Sequence, residues 1–184
     1  MNAIARKRIS VYDLVMVALF AALIAVCAWV TVPGAVPFTL QTMGVFLAVG
    51  LLGGKRGTAS VLVYILLGAV GMPVFSGFSG GVGRLLGTTG GYIIGFLVAA
   101  LAMWAMEAIF GKAKWVLSVS MLLGLLLCYA FGTIWFLVLY TQTKGAISVA
   151  SVLSMCVIPF ILPDLLKIAL ALLLTSRLGR FIRK

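Results

Sequence analysis

The sequence predicts an all-α integral membrane protein, and three observations lead to this fold class. Of its 184 residues, 64% are hydrophobic and only 9% are charged, whereas soluble domains carry about 25% charged residues. The mean hydropathy is +1.28. The apolar residues form runs that approach the roughly 20 residues a helix needs to cross a bilayer. A chain with so little polar surface cannot cover a water-soluble globule.

Six apolar runs can be placed along the chain, and we expect them to form one transmembrane domain over residues 1–184. Their ranges are roughly 10–30, 38–53, 57–72, 89–110, 115–141 and 148–177. The second and third runs are short and are joined by GGKRG, so their glycine-rich ends also allow a tilted or partly re-entrant arrangement. We find no internal repeat that would indicate a duplicated transporter fold.

The distribution of basic residues predicts that both termini lie in the cytoplasm, because cytoplasmic segments carry an excess of Lys and Arg. With the amino terminus inside, the outside loops carry only Arg84 and Lys144, and Lys167 lies within the sixth run. The inside segments carry Arg6, Lys7, Arg8, Lys55, Arg56, Lys112, Lys114, Arg177, Arg180, Arg183 and Lys184. Such short clusters between apolar runs also disfavour nucleic-acid binding, despite a net charge of +11.

The first apolar run has a second interpretation, since RKR followed by an apolar stretch resembles a signal peptide. Residues 11–30 are long for the apolar core of a signal, and Val26 stands where a lipoprotein signal has a small residue. A first transmembrane helix is also needed for the basic clusters to fall on the cytoplasmic side, as the charge distribution predicts. We therefore expect this helix to be retained.

Several kinds of chemistry lack the residues they need. The chain has no histidine, the commonest general base and metal ligand. Cys27, Cys128 and Cys156 are isolated within apolar runs, so we expect small buried side chains and neither a disulfide nor a metal site. GLLGGKRG has Arg56 where a phosphate-binding loop has Ser or Thr. We expect no enzyme activity, no ATPase site and no cofactor.

The sixth run carries two charges in an otherwise apolar segment, VIPFILPDLLK. Asp164 and Lys167 are three residues apart, so they share one face of a helix. A charge near the middle of a bilayer costs about 2.5–3.5 kcal/mol, and such residues usually face a bundle interior where they mark a ligand or ion site. A buried ion pair that only fixes helix packing is the alternative interpretation.

Two further segments on the predicted outer side gather polar groups. The loop before the fourth helix, residues 74–96, contains eight glycines and Arg84, and its backbone N–H groups can form a nest for an anion. Within it, the spacing of Gly91 and Gly95 is typical of helix packing. VPGAVPFTLQT, residues 32–42, places Thr39, Gln41 and Thr42 at the head of the second helix. Together with residues 157–167, these segments predict a pocket that opens to the exterior.

Three of these stretches carry a family resemblance. VPFTLQT, GRLLGTTGGYIIGF and PFILPDLLK resemble, in order and spacing, the signature stretches of the BioY family, the biotin-specific substrate-binding (S) components of energy-coupling factor transporters. Thr88 stands where that family usually has proline. The resemblance implies a six-helix S-component fold in the plasma membrane of a prokaryote. It also implies high-affinity capture of biotin, with a transmembrane coupling protein and two ABC ATPases as partners.

The resemblance gives the polar residues specific roles. Asp164 would accept hydrogen bonds from the ureido N–H groups of biotin. Gln41 and a backbone N–H of the glycine loop, near Thr89, would donate to the ureido carbonyl. Tyr92 and Phe78 would pack on the rings. Arg84 or Lys167 would pair with the biotin carboxylate, unless Lys167 neutralises Asp164 instead. The family's coupling protein docks on a small-residue ladder in helix 1, which here is supplied by Ala18 and Ala22 or by Ala21 and Ala25.

Three alternatives stay open from the sequence. The same fold can bind another vitamin, for instance thiamine or riboflavin. The chain can also act as a stand-alone biotin facilitator, which binding and uptake without partner proteins would reveal. An intramembrane enzyme is disfavoured because histidine and a serine–base pair are missing.

Overall fold

The computed structural model describes residues 10–34 and 36–182, and helices account for most of this part of the chain. The α-helices are α1 (Val11–Trp29), α2 (Gln41–Leu52), α3 (Gly54–Ala69), α4 (Val82–Leu85), α5 (Gly90–Phe110), α6 (Lys114–Lys144), α7 (Val149–Cys156) and α8 (Ile158–Ile182). Strands β1 (Thr31–Val32) and β2 (Phe38–Thr39) form a small antiparallel hairpin between α1 and α2. A 3-10 turn covers Ser76–Phe78.

Four helical segments are long and apolar enough to cross a membrane. They are α1, α5, α6 and the combined α7–α8 segment Val149–Ile182. Helices α2 and α3 have only 12 and 16 residues, which is less than the roughly 20 residues of a straight span. The structure thus shows an all-helical membrane protein, while the count of six spans stays a prediction.

The sixth predicted helix, 148–177, is two helices with a break at Val157. The backbone of Val157 leaves helical geometry, with φ −125° and ψ −57°. Pro159 follows in the first turn of α8, where its missing N–H removes no helical hydrogen bond. Pro163 lies further inside α8, so the carbonyl of Pro159 lacks its usual partner four residues on. The break and the two prolines set the direction from which α8 enters the bundle.

A single residue connects α2 to α3, and its conformation requires glycine. Gly53 has a φ of +83°, a region that side chains with a Cβ avoid. The N–H of the following Gly54 donates to Oε2 of Glu107 on α5 at 2.5 Å. This bond fixes the short α2–α3 turn to the neighbouring long helix.

Helices α5 and α6 approach each other closely because glycines alternate with large rings along their contact. A Cβ at Gly91 would overlap Trp135, and one at Gly132 would overlap the ring of Tyr92. Gly95 faces the backbone of Cys128. Small residues let helix backbones approach in membranes, so the packing role predicted for Gly91 and Gly95 is confirmed.

Polar contacts tie the helix ends together at the end of the bundle that carries most of the basic residues, hereafter the basic end. Arg56 at the start of α3 pairs with Asp13 at the start of α1 at 2.8 Å. The hydroxyl of Tyr12 donates to the carbonyl of Ile182 at 3.2 Å. These contacts bring the first turns of α1 and α3 together with the last turn of α8.

The core lies between the helices, and much of the outer surface is apolar too. Ile24, Phe46, Tyr64 and Met121 are among the large side chains that are fully buried. Many large apolar side chains on the outer faces of α1, α6 and α8 are exposed, as a surface facing lipid requires. Because both faces are apolar, hydrophobic periodicity does not distinguish the core side of these helices from the lipid side.

Candidate ligand-binding site

A cavity of about 60 Å³ lies at the end of the bundle opposite the basic end, and we call it the polar cavity. It is bounded by the β1–β2 connection and β2, the start of α2, the start of α5, the middle of α6 and the first turns of α8. Its lining residues are Val36, Pro37, Thr39, Gln41, Thr42, Ser76, Thr89, Tyr92, Ile93, Phe96, Cys128, Tyr129, Cys156, Phe160, Asp164 and Lys167. The cavity therefore combines a polar cluster with an apolar wall.

Asp164 and Lys167 form a buried ion pair in the wall of this cavity. Oδ1 of Asp164 lies 2.7 Å from Nζ of Lys167, and the two residues are only 2% and 5% exposed. Lys167 also donates to the backbone carbonyl of Thr39 at 2.6 Å, and its ammonium lies 4.2 Å from the ring centre of Phe38. The lysine thus joins α8 to strand β2.

Two hydroxyl groups complete the surroundings of the Asp164 carboxylate. Thr42 donates to Oδ1 at 3.0 Å, and Tyr129 donates to Oδ2 at 2.5 Å. A carboxylate oxygen can accept two hydrogen bonds, so Oδ1 is fully used and Oδ2 keeps one acceptor position. Oδ2 is therefore the oxygen that an N–H group of a ligand can reach as a further donor.

Gln41 is held in a fixed orientation at the head of α2. Its Nε2 donates to the hydroxyl of Tyr64 at 2.5 Å, and its Oε1 accepts from Oγ1 of Thr39 at 3.0 Å. Gln41 and Tyr64 are both buried. One amide N–H and one acceptor position of Gln41 are left for the cavity.

The wall opposite the ion pair comes from α5. Tyr92 lines the cavity and its hydroxyl shares a 3.0 Å hydrogen bond with Thr133. Thr89 lies one turn earlier at the head of α5, and Ile93 and Phe96 add apolar surface. This wall suits a flat apolar group that lies against the Tyr92 ring.

Two residues predicted for the site lie outside the cavity lining. Phe78 is 64% exposed and stacks on Trp29 with ring centres 5.1 Å apart. Arg84 lies in α4, and its Nε is buried without a hydrogen-bond partner among the described residues. Both belong to the glycine-rich segment between α3 and α5. The structure brings together Gln41, Thr89, Tyr92, Asp164 and Lys167 from the predicted set.

The four alanines predicted for partner docking fall on two different sides of α1. Ala18 and Ala22 are exposed on the outer face of the helix. Ala21 and Ala25 are buried in the core. Only the Ala18–Ala22 register is therefore presented to the surroundings of the bundle in this structure.

Of the three side chains that contact the Asp164 carboxylate, Tyr129 is the one that the sequence prediction missed. Tyr129 stands at the middle of the 31-residue helix α6, between apolar neighbours, and donates directly to Asp164. A tyrosine hydroxyl deep inside an apolar helix requires a hydrogen-bond partner, and that requirement was the available signal. The three cysteines are free and buried. No group of three or more potential metal ligands occurs among residues 10–34 and 36–182.

Comparison with known proteins places the chain in a family. The family model described as the BioY family matches residues 3–184. The chain belongs to the BioY family. It is similar to the biotin transporter BioY of Thermotoga maritima, with 40% identity over 91% of this chain and 96% of the relative. It is also similar to the probable biotin transporter BioY of Pyrococcus horikoshii, with 43% identity over 89% of this chain and 93% of the relative.

A solved structure shares the BioY-family fold. The crystal structure of an S-component for biotin from an ECF-type ABC transporter matches with a TM-score of 0.79. The two chains are 28% identical, and the match covers 98% of this chain and 95% of the other. The family resemblance that VPFTLQT, GRLLGTTGGYIIGF and PFILPDLLK carry is thereby confirmed, and the family match extends over residues 3–184.

Proposed function

We propose that this chain is the substrate-binding S component for biotin uptake by an energy-coupling factor transporter. The observation that carries the proposal is the buried Asp164–Lys167 pair in the wall of the polar cavity, within a chain related to biotin transporters along almost its full length. The proposal includes six spans, cytoplasmic termini and a location in the plasma membrane. The positive-inside pattern supports the orientation.

The polar cluster fits the ureido group of biotin. A ureido group has N–H donors on both sides of one carbonyl acceptor. Oδ2 of Asp164 has one remaining acceptor position and can accept a hydrogen bond from one of these N–H groups. The free amide N–H of Gln41 can donate a hydrogen bond to the ureido carbonyl. The apolar thiophane ring then lies against Tyr92, Ile93 and Phe96. Few polar groups on a mostly apolar wall are typical of small-molecule sites.

The structure favours Arg84 over Lys167 as the partner of the biotin carboxylate. Lys167 is already engaged by Asp164, the Thr39 carbonyl and the Phe38 ring. The Nε of Arg84 has no partner within the described part of the chain. A guanidinium matches a carboxylate with two parallel hydrogen bonds. Arg84 lies outside the cavity lining, so the glycine-rich segment must move to bring it there.

The size of the cavity supports an opening step. Small-molecule sites are about 300–1,000 Å³, whereas the polar cavity measures about 60 Å³. The elements able to move are the β1–β2 hairpin and the glycine-rich segment 70–89, because both are connections between the long helices. We propose that biotin enters by displacing these two segments.

Energy for uptake would come from partner proteins. The proposed partners are a transmembrane coupling protein and two ABC ATPases, with Ala18 and Ala22 as the docking register because they are the exposed pair. Small residues let a partner helix approach closely.

Equilibrium binding of labelled biotin to the purified chain in detergent tests the proposal. Unlabelled biotin, thiamine and riboflavin serve as competitors, and displacement by biotin alone is the expected result. Asp164→Asn should weaken binding about 10- to 150-fold, the range for hydrogen bonds to charged groups. Asp13→Asn is the matched control, because Asp13 lies at the basic end. Displacement by thiamine or riboflavin would contradict the substrate and leave the fold standing.

A further inference from the structure

A second and larger cavity of about 530 Å³ lies at the basic end, on the opposite side of the bundle from the polar cavity. It is enclosed by the end of α5, the first turns of α6 and the last turns of α8, with α2 behind them. Its lining residues are Val49, Met103, Glu107, Gly111, Lys112, Ala113, Lys114, Val116, Leu117, Ser118, Ser120, Leu172, Thr175, Ser176, Gly179 and Arg180. The proposed biotin function leaves this cavity unused.

The charges of the second cavity favour an anion. Three cations line it and only one carboxylate does. Glu107 is engaged by the Gly54 N–H and by Lys112 at 3.3 Å. Lys114 and Arg180 form no ion pair among the described residues. Within the described part of the chain, two cations of this cavity are therefore left without an opposite charge.

Hydrogen-bond donors in the same cavity also lack acceptors. Thr175 is 7% exposed, and its Oγ1 is buried with no hydrogen-bond partner in residues 10–34 and 36–182. The 31-residue helix α6 begins here, and its N-cap residue Ala113 supplies no side-chain acceptor for the first-turn N–H groups. A helix N-terminus favours an anion through these free N–H groups. A buried hydroxyl without a hydrogen-bond partner destabilises the folded state. An acceptor oxygen in the cavity would satisfy both Thr175 and the first-turn N–H groups of α6.

Aromatic side chains place the cavity at the depth of lipid headgroups. Trp115, in the first turn of α6, is 60% exposed, and its ring centre lies 6.3 Å from that of the exposed Phe110. Tryptophan is enriched at the membrane–water interface. Among the apolar lining residues, Leu117 and Leu172 are partly exposed, whereas Met103 is buried in the core. An occupant thus meets both cationic and apolar side chains in the cavity lining.

We propose that the second cavity binds the phosphate headgroup of an anionic phospholipid from the leaflet at the basic end. The phosphate oxygens would accept from Thr175 and the first-turn N–H groups of α6 and pair with Lys114 and Arg180. The acyl chains would follow the apolar wall. Basic pockets between transmembrane helices bind phospholipid headgroups by the same physics. This site is separate from the proposed biotin site and does not depend on it.

Native mass spectrometry of the purified chain, loaded with equal amounts of phosphatidylglycerol and phosphatidylcholine, tests the proposal. We expect the wild-type chain to retain phosphatidylglycerol preferentially. Each cation near an anionic lipid contributes about fivefold in affinity. Lys114→Gln combined with Arg180→Gln should therefore lower phosphatidylglycerol retention roughly 25-fold, and Thr175→Val should lower it about tenfold or more.

The matched control is Arg177→Gln, because Arg177 is an exposed cation on α8, one turn before Arg180, and does not line the cavity. This variant should retain the lipid as wild type does. Biotin binding should be unchanged in every variant, which shows that each one is folded. If Arg177→Gln lost as much phosphatidylglycerol retention as Lys114→Gln with Arg180→Gln, the proposal would be overturned, because surface charge in general would then explain lipid binding.

Two further measurements distinguish a phospholipid from the other possible occupants of the cavity, a free phosphate and a protein partner. Displacement of the lipid by soluble glycerol phosphate at equal concentration would overturn the lipid assignment, because it would show a site for a free phosphate. Unchanged lipid selectivity in Lys114→Gln with Arg180→Gln, together with lost co-purification of a coupling protein, would also overturn it and assign the cavity to a protein partner.

Discussion

Asp164→Asn, Lys167→Met and their combination separate the two roles of the buried ion pair, stability and ligand recognition. Removing one partner of a buried pair leaves an uncompensated charge and costs about 3–5 kcal/mol. Asp164 and Lys167 are 2% and 5% exposed, so solvent cannot compensate. Each residue keeps other contacts, two hydroxyl donors for Asp164 and the Thr39 carbonyl for Lys167. We therefore expect the lower end of that range, about 3 kcal/mol for each single substitution.

The double substitution should recover most of that stability, because replacing a whole buried pair by neutral groups is often close to neutral. The Thr39 carbonyl would still lose its Lys167 donor, a cost of about 1 kcal/mol. For a chain of this size, 1 kcal/mol shifts the melting temperature by about 2–4 °C. Each single variant should thus melt about 6–12 °C below wild type, and the double variant about 2–4 °C below it.

Thermal unfolding in detergent and biotin binding are measured on the same preparations. Biotin binding should be weakened about 10- to 150-fold in Asp164→Asn and in the double variant alike, although their stabilities differ. Asp13→Asn is the control for stability, since the Asp13–Arg56 pair is partly exposed and such pairs contribute about 1 kcal/mol or less. A double variant that melts lower than either single variant would refute the pairing argument. Wild-type binding by the double variant would refute the role of Asp164 in recognition.

Three further predictions concern other contacts. Tyr129→Phe should weaken biotin binding about tenfold, because the carboxylate loses a donor that holds Oδ2 in place; equilibrium binding measures it, and unchanged affinity would contradict it. Gly132→Leu should lower the melting temperature by several degrees because its side chain would overlap Tyr92, whereas Gly179→Leu, where a Cβ meets nothing within 4 Å, should not. Ala22→Trp should abolish ATP-dependent biotin uptake by the assembled transporter while leaving biotin binding intact, and Leu126→Trp on the exposed face of α6 is its control.

The sequence predicts that Asp164 and Lys167 share one helix face, and the ion pair that they form was one of the two interpretations it left open. Residues three apart on a helix share a face, so the contact of Asp164 with Lys167 needs no knowledge of the rest of the fold. The cost of charges in a membrane likewise predicts their burial in the bundle. The segments that gather at one end of the bundle follow from the alternation of apolar runs and loops.

The partners of that pair depend on how helices are rotated about their axes, which the sequence does not reveal here. Tyr129 contacts Asp164 because one face of α6 turns toward α8, yet the lipid-facing and core-facing sides of α6 are similarly apolar. The same ambiguity left both alanine registers of α1 open. In the structure Ala21 and Ala25 pack in the core while Ala18 and Ala22 are exposed, which is why the exposed pair is the one proposed for docking.

The glycine-rich segment was least accessible to sequence reasoning. Gly77 and Gly81 adopt positive φ angles, and Phe78 itself has φ +54°, so the chain direction changes at positions where many conformations are open to glycine. A prediction that Phe78 and Arg84 face the ligand requires one of these conformations. In this structure Phe78 stacks on Trp29 instead. Among the predicted site residues, Tyr92, Asp164 and Lys167 on α5 and α8 line the cavity, whereas Phe78 and Arg84 of the glycine-rich segment do not.

The contacts of Lys167 link ligand recognition to the position of the β1–β2 hairpin. The ammonium group has three donors, and it holds the Thr39 carbonyl of β2 while it pairs with Asp164 and faces the Phe38 ring. Phe38 also stacks on Phe160 of α8, with ring centres 6.0 Å apart. A ligand group that draws Lys167 away from Thr39 would therefore remove the polar anchor that keeps the hairpin over the cavity. We infer that this hairpin opens more readily in Lys167→Met, and that biotin associates faster with that variant even where its affinity is lower; an association rate equal to or below that of wild type would contradict the inference.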